Sequence, residues 1–141
     1  MAVMQVRPER TGWRDQALSL RHRQWGIDCP MRDLDYICLE FDEGVGCALV
    51  EYKHEKAEPI SANHPSYLAL TDLGDRAGVP VLAVRYAGDL SWYRPVPLNT
   101  RAKLWVPSPQ ILSEHQYVDL LYRLRGRKMP VQLFRQLGLE V

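Results

Sequence analysis

Four side chains between residues 33 and 53 have the types and spacing for metal-assisted chemistry: Asp33, Asp35, Glu51 and Lys53. Hard cations such as Mg²⁺ take carboxylate oxygens, keep several waters and leave room for a substrate phosphate. A lysine beside them can stabilise charge developing on that phosphate or help activate a water. The stretch that carries them reads DLDYICLEFDEGVGCALVEYK, two alternating runs around a loop of Asp, Glu and Gly. That pattern predicts a β-hairpin.

Side chains alternate along a strand, so residues of equal parity share a face. With residues 42–46 as the loop, Phe41 faces Cys47, Ile37 faces Glu51 and Asp35 faces Lys53. Directly opposed residues lie roughly 4.5–5.5 Å apart at Cβ. Asp35, Glu51 and Lys53 then converge at the open end of a face that Ile37, Leu39, Phe41 and Leu49 anchor. A one-residue slip would undo this by turning every side chain over. Charges at the margin of a buried face need partners. Either Asp35 and Lys53 pair with each other, or a divalent metal sits between the carboxylates.

The elements around the hairpin follow from periodicity and punctuation. A helix is expected from about Trp13 to Trp25, with Thr11 as its cap and Gly26 past its end. IDCPM follows as an irregular or short extended piece. A second helix begins near Asn63 or Ser66, carries Tyr67, Leu70, Leu73 and Ala77 on one face, and stops at Gly78-Val79-Pro80. VLAVRY is a nearly continuous apolar run, as in a strand covered on both faces. LSWYRPV is a further strand, which Pro95 and Pro97 push to an edge. Ser113 and Gln116 form a capping box for a helix that ends at Gly126, and a last short helix follows Pro130. The order is helix, hairpin, helix, strand, strand, helix, helix: a mixed α/β domain with one central sheet and helices packed on it.

Asp35, a hairpin, and then Glu51-Tyr52-Lys53 together resemble the D…ExK signature of the PD-(D/E)XK nuclease superfamily, whose core runs helix, strand meander carrying the motif, second helix, further strand. The likeness covers roughly residues 10 to 96. The preceding RHRQWGIDCPMRDLD block is similar to a phage- and bacteria-associated branch of that superfamily. The resemblance implies a restriction-endonuclease-like core over about residues 10–100, a central mixed sheet flanked by helices, and a C-terminal helical extension over about 108–141, all in one domain. It further implies Mg²⁺- or Mn²⁺-dependent hydrolysis of DNA. Asp35 and Glu51 would be the metal ligands, the backbone carbonyl of Tyr52 a third, and Lys53 the catalytic lysine. Asp33 competes with Asp35. The rival reading is a catalytically inactive nuclease-like module that binds nucleic acid or a protein partner.

Beyond the motif, Arg21 and Arg23 on the first helix and Arg123, Arg125, Arg127 and Lys128 in RLRGRK are candidate phosphate contacts; a solvated helix face explains them as well. His64 at the start of the second helix is a candidate for supporting the site, although a helix-start histidine of purely structural use accounts for it too. Trp92, Tyr93 and Trp105 could stack on bases, yet packing explains such residues more often. No Ser-His-Asp or Cys-His arrangement, P-loop or GxGxxG pattern occurs, which counts against hydrolysis on a serine or cysteine nucleophile and against classical nucleotide binding.

The bulk properties set outer bounds. A chain of 141 residues with net charge +1 is long enough to bury one core and does not announce a nucleic-acid partner by overall basicity. No apolar run approaches the roughly 20 residues needed to cross a membrane. MAVMQVRPERTGW lacks the apolar segment of a secretory signal, so a cytoplasmic setting is the expectation. Cys29, Cys38 and Cys47 lack CxxC spacing and are expected as reduced thiols in or near the core. A domain of this size without a recognition module is expected to rely on a homodimer or a protein partner for targeting.

Overall fold

A computed structural model of the chain describes residues 16–26, 30, 34–40 and 42–138. Its contacts divide it into residues 1–33 and 34–141. In the first unit, helix α1 spans Gln16–Gln24 and gives way to Gly26 at φ 95°. Arg21 and Arg23 are exposed there, and Leu18 and Leu20 are about half exposed. The expected cap Thr11, the start of this helix at Trp13, and the residues of IDCPM other than Pro30 lie outside the described residues. So do Asp33, Phe41 and Cys29.

The second unit is a mixed α/β structure built on one four-stranded sheet. Strands β1 (Tyr36–Glu40) and β2 (Val45–His54) form the hairpin. Helix α2 (Pro65–Ala77) leads to β3 (Val81–Tyr86), which is followed by β4 (Tyr93–Pro97). A short helix α3 (Thr100–Lys103), then α4 (Glu114–Leu124) and α5 (Val131–Leu137), complete the chain. The strands lie side by side in chain order, with β2 and β3 parallel and both outer pairs antiparallel. A parallel pair cannot be joined by a tight turn, so the α2 crossover is what this pairing requires.

Alternation along β2 and β3 divides the core in two. Leu49, Val81 and Ala83 pack with Tyr67 and Leu70 of α2 on one face. On the other, Ala48, Val50, Leu82 and Val84 pack with Ala102 of α3, Val106, and Tyr117, Leu120 and Leu124 of α4. Val81 to Val84 have no exposed surface at all, as expected for a strand covered on both faces. The order β1-β2-β3-β4 leaves β4 on an edge, the position that Pro95 and Pro97 demand.

Several local expectations hold and several are corrected. The capping box at Ser113 and Gln116 is formed in both directions, and Gly78 and Gly126 close their helices with φ 73° and 70°. The cap of α2 is neither Asn63 nor Ser66: His64 Nδ1 accepts the Ser66 N–H at 3.2 Å. Leu73 is half exposed, and the buried stripe of α2 runs instead through Tyr67, Leu70 and Gly74. Helix α3 was not expected, although Asn99 caps it in the manner typical of its residue type. Asn99 is also buried and fully bonded. Its Oδ1 accepts from Val81 and Ala102 N–H at 3.1 and 2.9 Å, while its Nδ2 donates to Asp75 Oδ1 and the Val79 carbonyl at 3.0 and 2.9 Å.

The hairpin register also differs from expectation. Strand β2 begins at Val45, two residues before the expected start at Cys47, so Ile37 pairs with Leu49 and not with Glu51. A bulge follows between Cys38 and Leu39, where Cys47 is the extra residue on β2. The bulge shifts the parity of β2 alone, so that Gly46 and not Cys47 comes opposite Leu39. Ile37 and Leu39, expected as buried anchors, are each 49% exposed because β1 is an edge strand.

Candidate functional site

Glu51 and Lys53 lie near the carboxyl end of β2, on the face that α2 covers. Glu51 is buried, 6% exposed, and pairs along the parallel ladder with Ala83. Lys53 is half-buried and pairs with Arg85, which in turn pairs with Arg94 of β4. Lys53, Arg85 and Arg94 therefore form a row of three cations across three strands. No ion pair among the described residues engages Lys53 or Arg94. In open α/β sheets, ligands bind beyond the carboxyl ends of the parallel strands, where this row lies.

Arg85 lies within the apolar run of β3. Its guanidinium collects four backbone carbonyls: those of His54, Glu55 and Ala57 on Nη1 at 3.2, 3.1 and 2.9 Å, and that of Glu58 on Nη2 at 2.8 Å. These bonds tie the chain leaving the motif strand back onto β3. The only available signal was one cation inside VLAVRY. His54 turns to the opposite face, as alternation predicted, and meets the Tyr86 ring edge-on at 5.6 Å.

Asp35 stands just before β1. One residue beyond the Tyr36–Val50 pair, the register places it opposite Glu51, not opposite Lys53. Its Oδ2 accepts the Tyr52 backbone N–H at 2.9 Å, continuing the ladder where the β1 backbone has ended. Of the two alternatives for these charges, the Asp35–Lys53 pair is not formed, and this bond takes its place. The structure thus sets Asp35 beside the Glu51-Tyr52 peptide and leaves Lys53 further along the strand. Among the described residues no group of three or more His, Cys, Asp or Glu side chains is placed to hold a metal ion. Two carboxylates completed by water and substrate phosphate are, however, a usual Mg²⁺ arrangement.

The remaining candidates are dispersed. Arg127 grips the buried Glu40 through Nε at 2.7 Å and Nη2 at 3.0 Å, and reaches Asp42 at 3.2 Å. That bidentate grip holds the Glu40 carboxyl below its ordinary range and raises Arg127. It joins the segment after α4 to the hairpin and accounts for part of the basic run. Arg123 pairs with Asp119 one turn back, Arg125 lies 5.3 Å from the Tyr122 ring centre, and Lys128 is exposed. His64 serves as the α2 cap described above and lies edge-on to Tyr67 at 6.4 Å.

On the other face of the sheet, one tyrosine comes from each strand: Tyr36, Tyr52, Tyr86 and Tyr93. With Tyr117 and Val118 of α4, and with Asp35, Leu90 and Leu121, they line a concave space of about 680 Å³. Tyr52 and Tyr117 share a hydrogen bond at 2.6 Å, and Tyr93 stacks on Tyr117 at 4.6 Å and 9°. Burial pushes the Tyr52, Tyr93 and Tyr117 hydroxyls above the ordinary tyrosine range. Of these rings the sequence singles out only that of Tyr93 for stacking, because positions 36, 52, 86 and 117 come together only through strand pairing and the packing of α4.

Comparison with family models, with curated proteins and with solved structures yields no match to this chain.

Proposed function

We propose that the chain carries, over about residues 10–100, a restriction-endonuclease-like nuclease core that hydrolyses DNA phosphodiester bonds with the help of Mg²⁺ or Mn²⁺. The observation that carries this reading is the buried Glu51 at the carboxyl end of β2, followed on the same face by the cation row that begins at Lys53. The order from α1 through the hairpin and α2 to β3 agrees with the nuclease core order. Asp35 and Glu51 are the side chains that would hold the cation, with the Tyr52 carbonyl beside them and Asp33 as the competitor of Asp35. The cation would supply charge neutralisation and a more acidic water. Lys53 places a positive charge where negative charge builds on the scissile phosphate. Arg85 and Arg94 extend that field along the path of the backbone, and Arg85 keeps the motif strand and its exit loop in place.

The test is cleavage of single-stranded, duplex and branched DNA with and without Mg²⁺ or Mn²⁺. Glu51→Gln and Lys53→Ala should each abolish cleavage while leaving the melting temperature near that of the parent. If no substrate is cut and calorimetric titration detects neither metal, the hydrolytic reading is dropped. The Asp35 bond to the Tyr52 N–H favours a second reading, since it commits one carboxylate oxygen to the backbone. There the same scaffold binds nucleic acid without cutting, retains affinity in EDTA, and loses it with salt at a slope set by its phosphate contacts.

A further inference from the structure

We infer that the tyrosine row on the α4 side of the sheet is a stacking platform for unpaired nucleobases, so that the substrate enters with a single-stranded segment. This rests on the nucleic-acid reading of the site above and specifies its substrate class. The row crosses all four strands. Tyr36 and Tyr52 meet edge to face at 5.2 Å and 86°, and Tyr52 and Tyr86 at 6.1 Å and 78°. The hydroxyls of Tyr52 and Tyr117 bond to each other, which engages two of the polar tips around the recess. The outermost ring, Tyr36, is 62% exposed on the edge strand.

Leu90 forms the opposite rim. It is half exposed and holds φ 63°, the only positive value among the described residues other than glycine. A leucine in the left-handed region is unusual, and such conformations concentrate at functional positions. Between the rims stands Asp35, whose Oδ2 is bonded to Tyr52 while Oδ1, in the metal-free protein, remains for an N–H on a base edge. A concave, ring-lined recess with one acceptor fits a nucleobase, which any exposed aromatic face can stack and which carries edge donors. Continuity with the phosphodiester site also favours this ligand over an aromatic side chain of a peptide. Asp35 lines the recess and comes opposite Glu51 in the hairpin register, so a strand whose base rests on Tyr36 would pass round the open end of the hairpin to reach Glu51 and Lys53 on the other face. Bases within a duplex are already stacked and paired, and cannot enter the recess.

The experiment is fluorescence anisotropy in EDTA with a labelled oligodeoxythymidylate, alone and annealed to its complement. Wild-type protein should prefer the single strand. Tyr36→Ala should weaken single-strand binding about tenfold, the scale of one lost stacking partner, and Tyr36→Phe should retain it. Because Tyr36 is exposed, neither change threatens the fold. No preference for the single strand, an unchanged affinity in Tyr36→Ala, or an equal loss in Tyr36→Phe would overturn the inference. Binding is read without metal, so a failure to cleave bears on the hydrolytic reading alone.

Discussion

Asn99→Ala isolates the contribution of one buried side chain to the sheet that carries the site. Asn99 is 5% exposed and makes four hydrogen bonds, to the start of β3, the end of α2, the segment between them and its own helix α3. Alanine would leave two buried donors, the N–H groups of Val81 and Ala102, both on residues with no exposed surface. A buried donor left unsatisfied costs about 1–3 kcal/mol. Asp75 is exposed and can turn to water, so its lost partner adds little. The expected loss is about 2–4 kcal/mol, with the Ala102 share equivalent to a lost N-cap at about 0.5–2 kcal/mol. That is a large part of the roughly 5–15 kcal/mol typical of a whole domain. Urea unfolding followed by tryptophan fluorescence and by far-UV circular dichroism measures it, with the slope m checked for constancy. A loss under about 1 kcal/mol at unchanged m would show that water replaces Asn99 and that the four-bond argument is wrong.

Gly74→Ala should also destabilise, although alanine is the better helix former by about 1 kcal/mol. A Cβ there would collide with the Val81 side chain, which is fully buried, so overpacking toward the upper end of about 1–3 kcal/mol wins; a higher melting temperature would contradict this. The Glu40–Arg127 pair predicts an acid-sensitive term. Since Arg127 lowers the Glu40 carboxyl, the stabilisation is present above the ordinary carboxylate range near 4.3 and is lost as pH falls through the depressed folded value. The stability difference between wild type and Arg127→Ala should be flat above about pH 5 and shrink below pH 4; a difference that ignores pH would refute it. At the alkaline end, absorbance at 295 nm should show Tyr52, Tyr93 and Tyr117 ionising above the ordinary value near 10. Their folded values are raised, so stability is full below that value and declines as pH climbs past it; normal titration of all seven tyrosines would count against the packed row.

What the sequence determined by itself is the part decided by near neighbours. The Ser113–Gln116 capping box, the glycine stops at Gly78 and Gly126, and the buried run Val81–Val84 depend on backbone dihedrals and side-chain spacing within a few residues, and each was legible. The presence of the hairpin belongs to the same class. Tertiary structure decided the rest. The register turned on where β2 resumed pairing and on the Cys47 bulge, a choice among pairings that differ by only a residue or two. That choice moved Asp35 from Lys53 to the Tyr52 peptide. Long-range partners decided the fate of Arg127, which RLRGRK suggested for phosphate and which Glu40 claims. Arg85, Asn99 and the tyrosine row were illegible for the same reason. Each acts only through groups far away in the chain, and no local propensity records which distant groups a folded sheet will bring within a bond length.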